Sequence, residues 1–235
     1  MSEPLRLVCA GAGKGLVEAL APVFRDETGT EIDATFGAVG ALKAKLDAGE
    51  KSDVIVLTAQ LVDALVRENR VRADTIAALG AVPTGIAVRE GDPLPDVHDA
   101  ASLRHVLLRA GGIYVPDPER ATAGIHFMRV LRKLDIEGDV GSRLRPYPNG
   151  ATAMRALAER GQLGDVGCTQ MTEIRYTAAV IAVGVLPPGL DLSTVYSAGV
   201  ARDAAIADVA RRLVRLLTGP SSVALRVASG FEITR

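Results

Sequence analysis

Within seven residues, Gly167-Cys168-Thr169-Gln170-Met171-Thr172-Glu173 carries two hydroxyls, a carboxamide and a carboxyl directly after an apolar run. Thr169 and Gln170 are of the type that hydrogen-bonds a carboxylate, and Glu173 can serve as a proton-transferring base where its surroundings raise its pKa. A plainer reading of the same residues is helix capping, with Thr169 or Thr172 as the N-cap and Glu173 in the first turn. A second candidate, Gly11-Ala12-Gly13-Lys14-Gly15, follows another apolar run. A dinucleotide fingerprint needs glycine where Leu16 stands, and a P-loop needs Ser or Thr after Lys14 and glycine in place of Val8, so both nucleotide motifs fail on spacing. What the cluster retains is a set of backbone N–H groups at a helix N-terminus beside the Lys14 ammonium, an arrangement that attracts anions. A plain tight turn is the alternative.

Similar helix starts recur at Ala38-Val39-Gly40, at Thr58, at Thr122-Ala123-Gly124 and at Asn149-Gly150, each after the end of an apolar run. In open α/β sheets, ligands sit beyond the carboxyl ends of the strands. His126 falls one turn into the helix that begins near Thr122, so it is a candidate proton carrier, although a lone histidine is as often a core or surface residue. His98 and His105 read as solvent-facing. Cys9 and Cys168 lie far apart inside apolar segments and read as buried thiols. No His or Cys pair has metal-ligand spacing, so neither a metal nor any other cofactor is expected. Neither a Ser-His-Asp set nor a nucleophile elbow is visible, which leaves hydrolase chemistry without support.

The elements that position these residues alternate. Short runs rich in β-branched residues, at 5–10, 31–36, 53–57 and 82–88, are separated by segments of helical period, including one carrying Leu16, Leu20, Val23 and Phe24 and another carrying Leu61, Leu65 and Val66. This alternation predicts an α/β protein with mostly parallel sheets. The charged, Gly- and Pro-rich stretch from Arg89 to Asp96 reads as a crossing into a second α/β series. That series holds helices near 103–108 and 125–134, strands at 112–115, 144–147, 165–169 and 178–185, and a helix carrying Met154 and Leu157. A return strand at 195–200 and helices at 204–217 and 220–228 close the chain.

The 235 residues, 48% of them hydrophobic, are enough for a substantial core. Aromatic residues make up only 3%, with no Trp, so base-stacking surfaces are not expected. With 27 Lys and Arg against 28 Asp and Glu, the formal charge of −1 gives no footprint for nucleic acid. No apolar run is long enough to insert in a membrane. Met1-Ser2-Glu3-Pro4 enters the first apolar run without a leader, which points to the cytoplasm where Met1 is the native start and to the periplasm where a leader has been removed.

The order of these pieces resembles the type II periplasmic-binding-protein fold, and within it the molybdate-binding-protein-like family. The residues that carry the resemblance are Phe36-Gly37-Ala38-Val39-Gly40-Ala41-Leu42, Gly49 before Ser52-Asp53-Val54, Asp117-Pro118 with Ala123-Gly124, Asn149-Gly150, Gly164-Asp165-Val166-Gly167 and Gly230-Phe231. The resemblance implies a two-lobed protein, residues 1–88 plus 193–235 forming one lobe and 89–192 the other, with a small anion held in the cleft between them. Molybdate binders place serines and a tyrosine where this chain has Gly15, Val39 and Gln170. Loss of those hydroxyls turns the expected ligand from a tetrahedral oxyanion to a carboxylate, held by Gly13, Lys14, Gly15, Val39, Gly40, Thr58, Thr122, Asn149, Thr169 and Gln170. An ABC permease is the implied partner if the chain is exported. The family is also similar to aconitate isomerases, which implies the alternative of a cytoplasmic isomerase of small polycarboxylates in which His126 or Glu173 moves the proton.

Overall fold

The computed structural model describes residues 3–233, so Met1 and Ser2, on which the expectation of a leaderless start rests, lie outside the described residues. The chain divides into two compact units, the first made of the residues up to Val82 together with those from Thr194 onward, the second of Pro83–Ser193. The passage between them falls inside a strand at Val82–Pro83, six residues before the Arg89–Asp96 stretch where composition placed it. That stretch is instead a turn of the second unit, closed by the Arg89 guanidinium on Asp92 at 3.0 Å.

In the first unit β1 (Leu5–Ala10) leads through a short 3-10 turn at Gly11–Gly13 into α1 (Lys14–Thr28). β2 (Ile32–Gly37), α2 (Val39–Asp47), β3 (Val54–Thr58) and α3 (Ala59–Arg67) follow. β1 pairs in parallel with β2 on one side and with β3 on the other. Apolar side chains at 3.6-residue spacing make α1 amphipathic: it buries Leu16, Val17, Leu20 and Phe24 and ends where Gly29 adopts φ +66°. Val23, expected on that face, points to solvent, and Val17 takes its place. In α3 the buried positions are Val62 and Leu65, with Leu61 and Val66 only half-buried at the margins.

β4 (Ala77–Arg89) then carries the chain into the second unit. There α4 (Ala100–Arg109), β5 (Ile113–Pro116), α5 (Thr122–Lys133), the single turn α6 (Glu137–Val140), β6 (Leu144–Tyr147), α7 (Gly150–Arg160), β7 (Val166–Gln170), α8 (Met171–Tyr176) and β8 (Val180–Val185) succeed one another. β5 pairs in parallel with β6 and β7, and β4 pairs antiparallel with β7 and β8. The core of this unit is aliphatic, built on Ile86, Leu103, Leu107, Ile113 and Leu131 with Phe127 at 0% exposure. β9 (Ser193–Val200) returns the chain to the first unit antiparallel to β3, and α9 (Ala207–Thr218) and α10 (Val223–Ser229) finish it.

The sheets are therefore mixed rather than mostly parallel. β9 runs antiparallel to β3, and β4 runs antiparallel to β7 and β8; β4 and β9 are the strands by which the chain leaves and re-enters the first unit. No helix among the described residues is long and apolar enough to cross a membrane.

Candidate functional site

β2, β1 and β3 are adjacent and parallel, so their carboxyl ends share one edge of the first unit. A helix or helical turn starts at each end without an intervening loop. The joining residues Ala10, Ala38 and Thr58 have nearly one conformation, φ −55° and ψ 145°, φ −65° and ψ 142°, and φ −61° and ψ 145°. None of α1, α2 and α3 has a side chain capping its N-terminus. The starts of α2 and α3 leave their first N–H groups without intrahelical acceptors, while at α1 the Lys14 N–H is taken by the Gly11 carbonyl and the unclaimed start is that of the 3-10 turn; strands about 4.8 Å apart bring the three starts close together. Gly13, Lys14, Gly15, Val39, Gly40 and Thr58 all lie at this edge. Val39 contributes only its N–H, since its side chain is buried and apolar. The Lys14 ammonium lies 3.7 Å from Glu18 and 5.6 Å from the centre of the Phe36 ring at the end of β2.

In the second unit β6, β5 and β7 are parallel neighbours, and α7, α5 and α8 start beyond their carboxyl ends. α5 begins at Thr122, three residues earlier than its periodicity indicates, because Ala121 N–H already bonds the Asp117 carbonyl at 3.1 Å. α5 has no side-chain cap. α7 is different, since two of its own chain's side chains close its start. Asn149 Oδ1 accepts from Thr152 N–H and from the Thr152 hydroxyl, both at 2.9 Å. Glu173, 6% exposed, accepts backbone hydrogen bonds from Gly150, Ala151 and Gln170 and a 2.6 Å bond from the Thr169 hydroxyl. Burial pushes the Glu173 carboxyl above the ordinary glutamate range, against the pull of these four donors.

The sequence offered Glu173 either as a proton-transferring base or as a first-turn residue of a helix capped by Thr169 or Thr172; the N-cap of α8 is Gln170, and Glu173, in the first turn, also bridges to α7. Asn149 likewise spends its side-chain oxygen on the helix cap. His126 is half-buried, and its Nε2 lies 2.8 Å from the Leu190 carbonyl, an acceptor that fixes Nε2 as the protonated nitrogen. His98 and His105 are exposed, and Cys9 and Cys168 are free, fully buried thiols, which burial holds well above the ordinary thiol range. No group of His, Cys, Asp and Glu among the described residues is arranged to hold a metal ion.

Three buried polar side chains of this unit have no hydrogen-bond partner: both amide atoms of Gln170, 3% exposed, and the hydroxyls of Thr84 and Thr172. Gln170 stands directly opposite Thr84 in the β4–β7 pair. The Thr84 N–H and carbonyl bond Leu192 and Leu186 on the other side of β4, each at 2.9 Å, so Thr84 and Gln170 form a pair without mutual backbone bonds, the closer of the two antiparallel arrangements. Thr84 was not legible as a functional residue. A threonine inside a β-branched run is an ordinary strand former, and only the register of β4 on β7 brings it beside Gln170.

The match to known proteins follows the same architecture. A model of the family described as bacterial extracellular solute-binding protein matches residues 5–232. The chain belongs to the bacterial extracellular solute-binding proteins. Its fold is similar to that of the periplasmic molybdate-binding protein of Azotobacter vinelandii, at a TM-score of 0.79 and 20% identity over 98% of this chain and 100% of that one. The sulfate-binding protein of Mycobacterium tuberculosis is similar at a TM-score of 0.73 and 18% identity, over 98% and 86% of the two chains. These likenesses establish the fold of the two-lobed periplasmic binding proteins. In sequence, an aconitate isomerase of a Pseudomonas species is 24% identical over 97% of this chain and 87% of its own.

Proposed function

We propose that this solute-binding protein binds a small organic carboxylate. One observation carries the reading: three neighbouring helix starts of the first unit, at the carboxyl ends of β2, β1 and β3, lack side-chain caps and so present backbone N–H groups and positive dipole ends at one edge. Oriented N–H groups replace the hydration shell of an anion without a metal; Gly13, Gly15, Val39, Gly40 and Thr58 lie where such groups are offered, and Lys14, whose N–H is held by the Gly11 carbonyl, adds its ammonium. In the second unit Thr122 and Gln170 are donors of the same kind, whereas the Thr169 hydroxyl is held by Glu173. With glycine, valine and glutamine where molybdate binders of this family place hydroxyls, a carboxylate suits the donors better than a tetrahedral oxyanion. In this reading a membrane permease receives the anion, and the protein works outside the inner membrane.

A second reading, isomerisation of a small polycarboxylate, is favoured by the similarity to the aconitate isomerase and by the raised pKa of the buried Glu173 carboxyl, which keeps a proton available nearer neutrality. It places the protein in the cytoplasm without a permease. His126 is the weaker proton carrier of the two, with Nε2 committed to the Leu190 carbonyl.

A thermal-shift screen with molybdate, tungstate, sulfate, phosphate, aconitate, citrate and shorter dicarboxylates tests both readings. A ligand at a hundredfold excess over its Kd stabilises by about 2.7 kcal/mol, enough to move Tm by several degrees. The carboxylates are expected to raise Tm and the tetrahedral oxyanions to leave it unchanged; the reverse pattern overturns the carboxylate reading. Conversion of aconitate between its isomers, followed by proton NMR and lost in Glu173→Gln with binding retained, selects the isomerase.

A further inference from the structure

We infer that the ligand is a 2-hydroxy acid, whose hydroxyl and adjacent carboxylate are read together by the Gln170 amide. The inference rests on the carboxylate reading above and narrows it. Gln170 is 3% exposed and neither its Oε1 nor its Nε2 has a partner, so whichever way the amide plane is turned, one donor and one acceptor are unmet. A buried donor and acceptor left unmet forfeit their hydration without return, so the site is built for a group that answers both.

A fully ionised carboxylate or tetrahedral oxyanion offers only acceptors. It satisfies Nε2 and sets its lone pairs against those of Oε1. A 2-hydroxy acid carries a donor and an acceptor on neighbouring carbons: its O–H donates to Oε1 while a carboxylate oxygen accepts from Nε2. The flanking hydroxyls of Thr84 and Thr172, also buried and unpartnered, rotate freely to donate to the remaining carboxylate oxygen or to accept from the ligand. Beside them the Thr169 hydroxyl and Glu173 are already committed to each other at 2.6 Å, so the unmet hydrogen-bonding capacity is that of Gln170, Thr84 and Thr172.

Calorimetric titration of the full chain with matched pairs, malate against succinate and citrate against tricarballylate, tests the inference. The hydroxylated member of each pair is expected to bind at least about tenfold tighter, because a site that pairs buried polar groups with a hydroxyl rejects the analogue lacking it. In Gln170→Leu the preference is expected to vanish. The Tm of that variant without ligand is expected to stay level or rise, since a buried amide with no partner has been replaced by an apolar group of similar size. Equal affinity within each pair, or a preference that survives Gln170→Leu, overturns the inference while leaving the carboxylate reading in place. Binding of tetrahedral oxyanions and of no carboxylate overturns that reading itself and this inference with it. A large fall in the ligand-free Tm of Gln170→Leu shows that the amide has a structural role instead.

Discussion

Gly150 has no side chain because a Cβ at this position would overlap the Glu173 carboxylate and the Thr169 hydroxyl. The absence of a methyl group lets a carboxylate from α8 reach the N–H groups that open α7. Gly150→Ala is therefore expected to lose about 1–3 kcal/mol in urea denaturation although alanine is the better helix former, and a gain in stability there would refute the close approach. The carboxylate itself gives stability a pH dependence of definite sign. Glu173 has a raised pKa in the folded chain, so its stabilisation is complete below about pH 4.3, the unfolded value, and fades as pH rises through the folded value. The stability advantage of wild type over Glu173→Gln should accordingly shrink between pH 4 and pH 8, and an advantage that grows with pH contradicts the raised value. Asp53 behaves in the opposite way. Burial alone would raise its pKa, but the Arg6 side chain and N–H and the Ala205 N–H outweigh burial, so its contribution is present above about pH 4 and lost on acidification.

Between elements, the clearest single tie is Arg226 on α10. It is 4% exposed and has no carboxylate partner among the described residues; its guanidinium donates to the carbonyls of Leu79 at 2.7 Å, Thr218 at 2.9 Å and Gly219 at 3.0 Å. The cation thus sits at the negative end of α9 and fastens that helix to β4. Arg226→Met keeps the bulk and removes the donors, and is expected to lower stability by about 2–4 kcal/mol in chemical denaturation, because one buried and two half-buried carbonyls lose a charged partner. Elements of this kind divide sharply in how far a sequence reveals them. β1 and β6 fall on the residues read as strands, 5–10 and 144–147, and α1 stops at Gly29 as its glycine signals, because those cues are local. The start of α5 lies three residues ahead of its apolar periodicity, since its hydrogen bonds already begin with the Ala121 N–H on the Asp117 carbonyl. Arg226 reads as one more charged helix residue. Its role depends on a carbonyl 147 residues away in the chain.

At the scale of the whole chain, the same difference between local and distant information governs what was legible. Alternation of strand and helix marked the α/β class, whereas the pairing of Thr84 with Gln170 and the bridge from Glu173 to α7 depend on register between segments far apart in sequence. The passage between units was hidden for a related reason: β4 runs unbroken across it, so Gly80, Pro83 and Gly85 lie within a strand there and not in a loop. The second unit, by contrast with the first, is one continuous stretch of chain, Pro83–Ser193. Its hydrophobic core is drawn entirely from its own residues, from Ile86 to Leu190, and Thr84 near its start bonds Leu186 and Leu192 near its end. A fragment comprising residues 83–193 is therefore expected to fold alone, with mixed α/β circular dichroism and a single cooperative urea transition. A fragment comprising residues 3–82, which lacks β9, α9 and α10, is expected to remain unfolded, because β3 then loses its β9 neighbour and α1 loses the helix α9 that packs on it. Cooperative folding of 3–82, or a molten 83–193, would show that the core of each unit is shared differently along the chain.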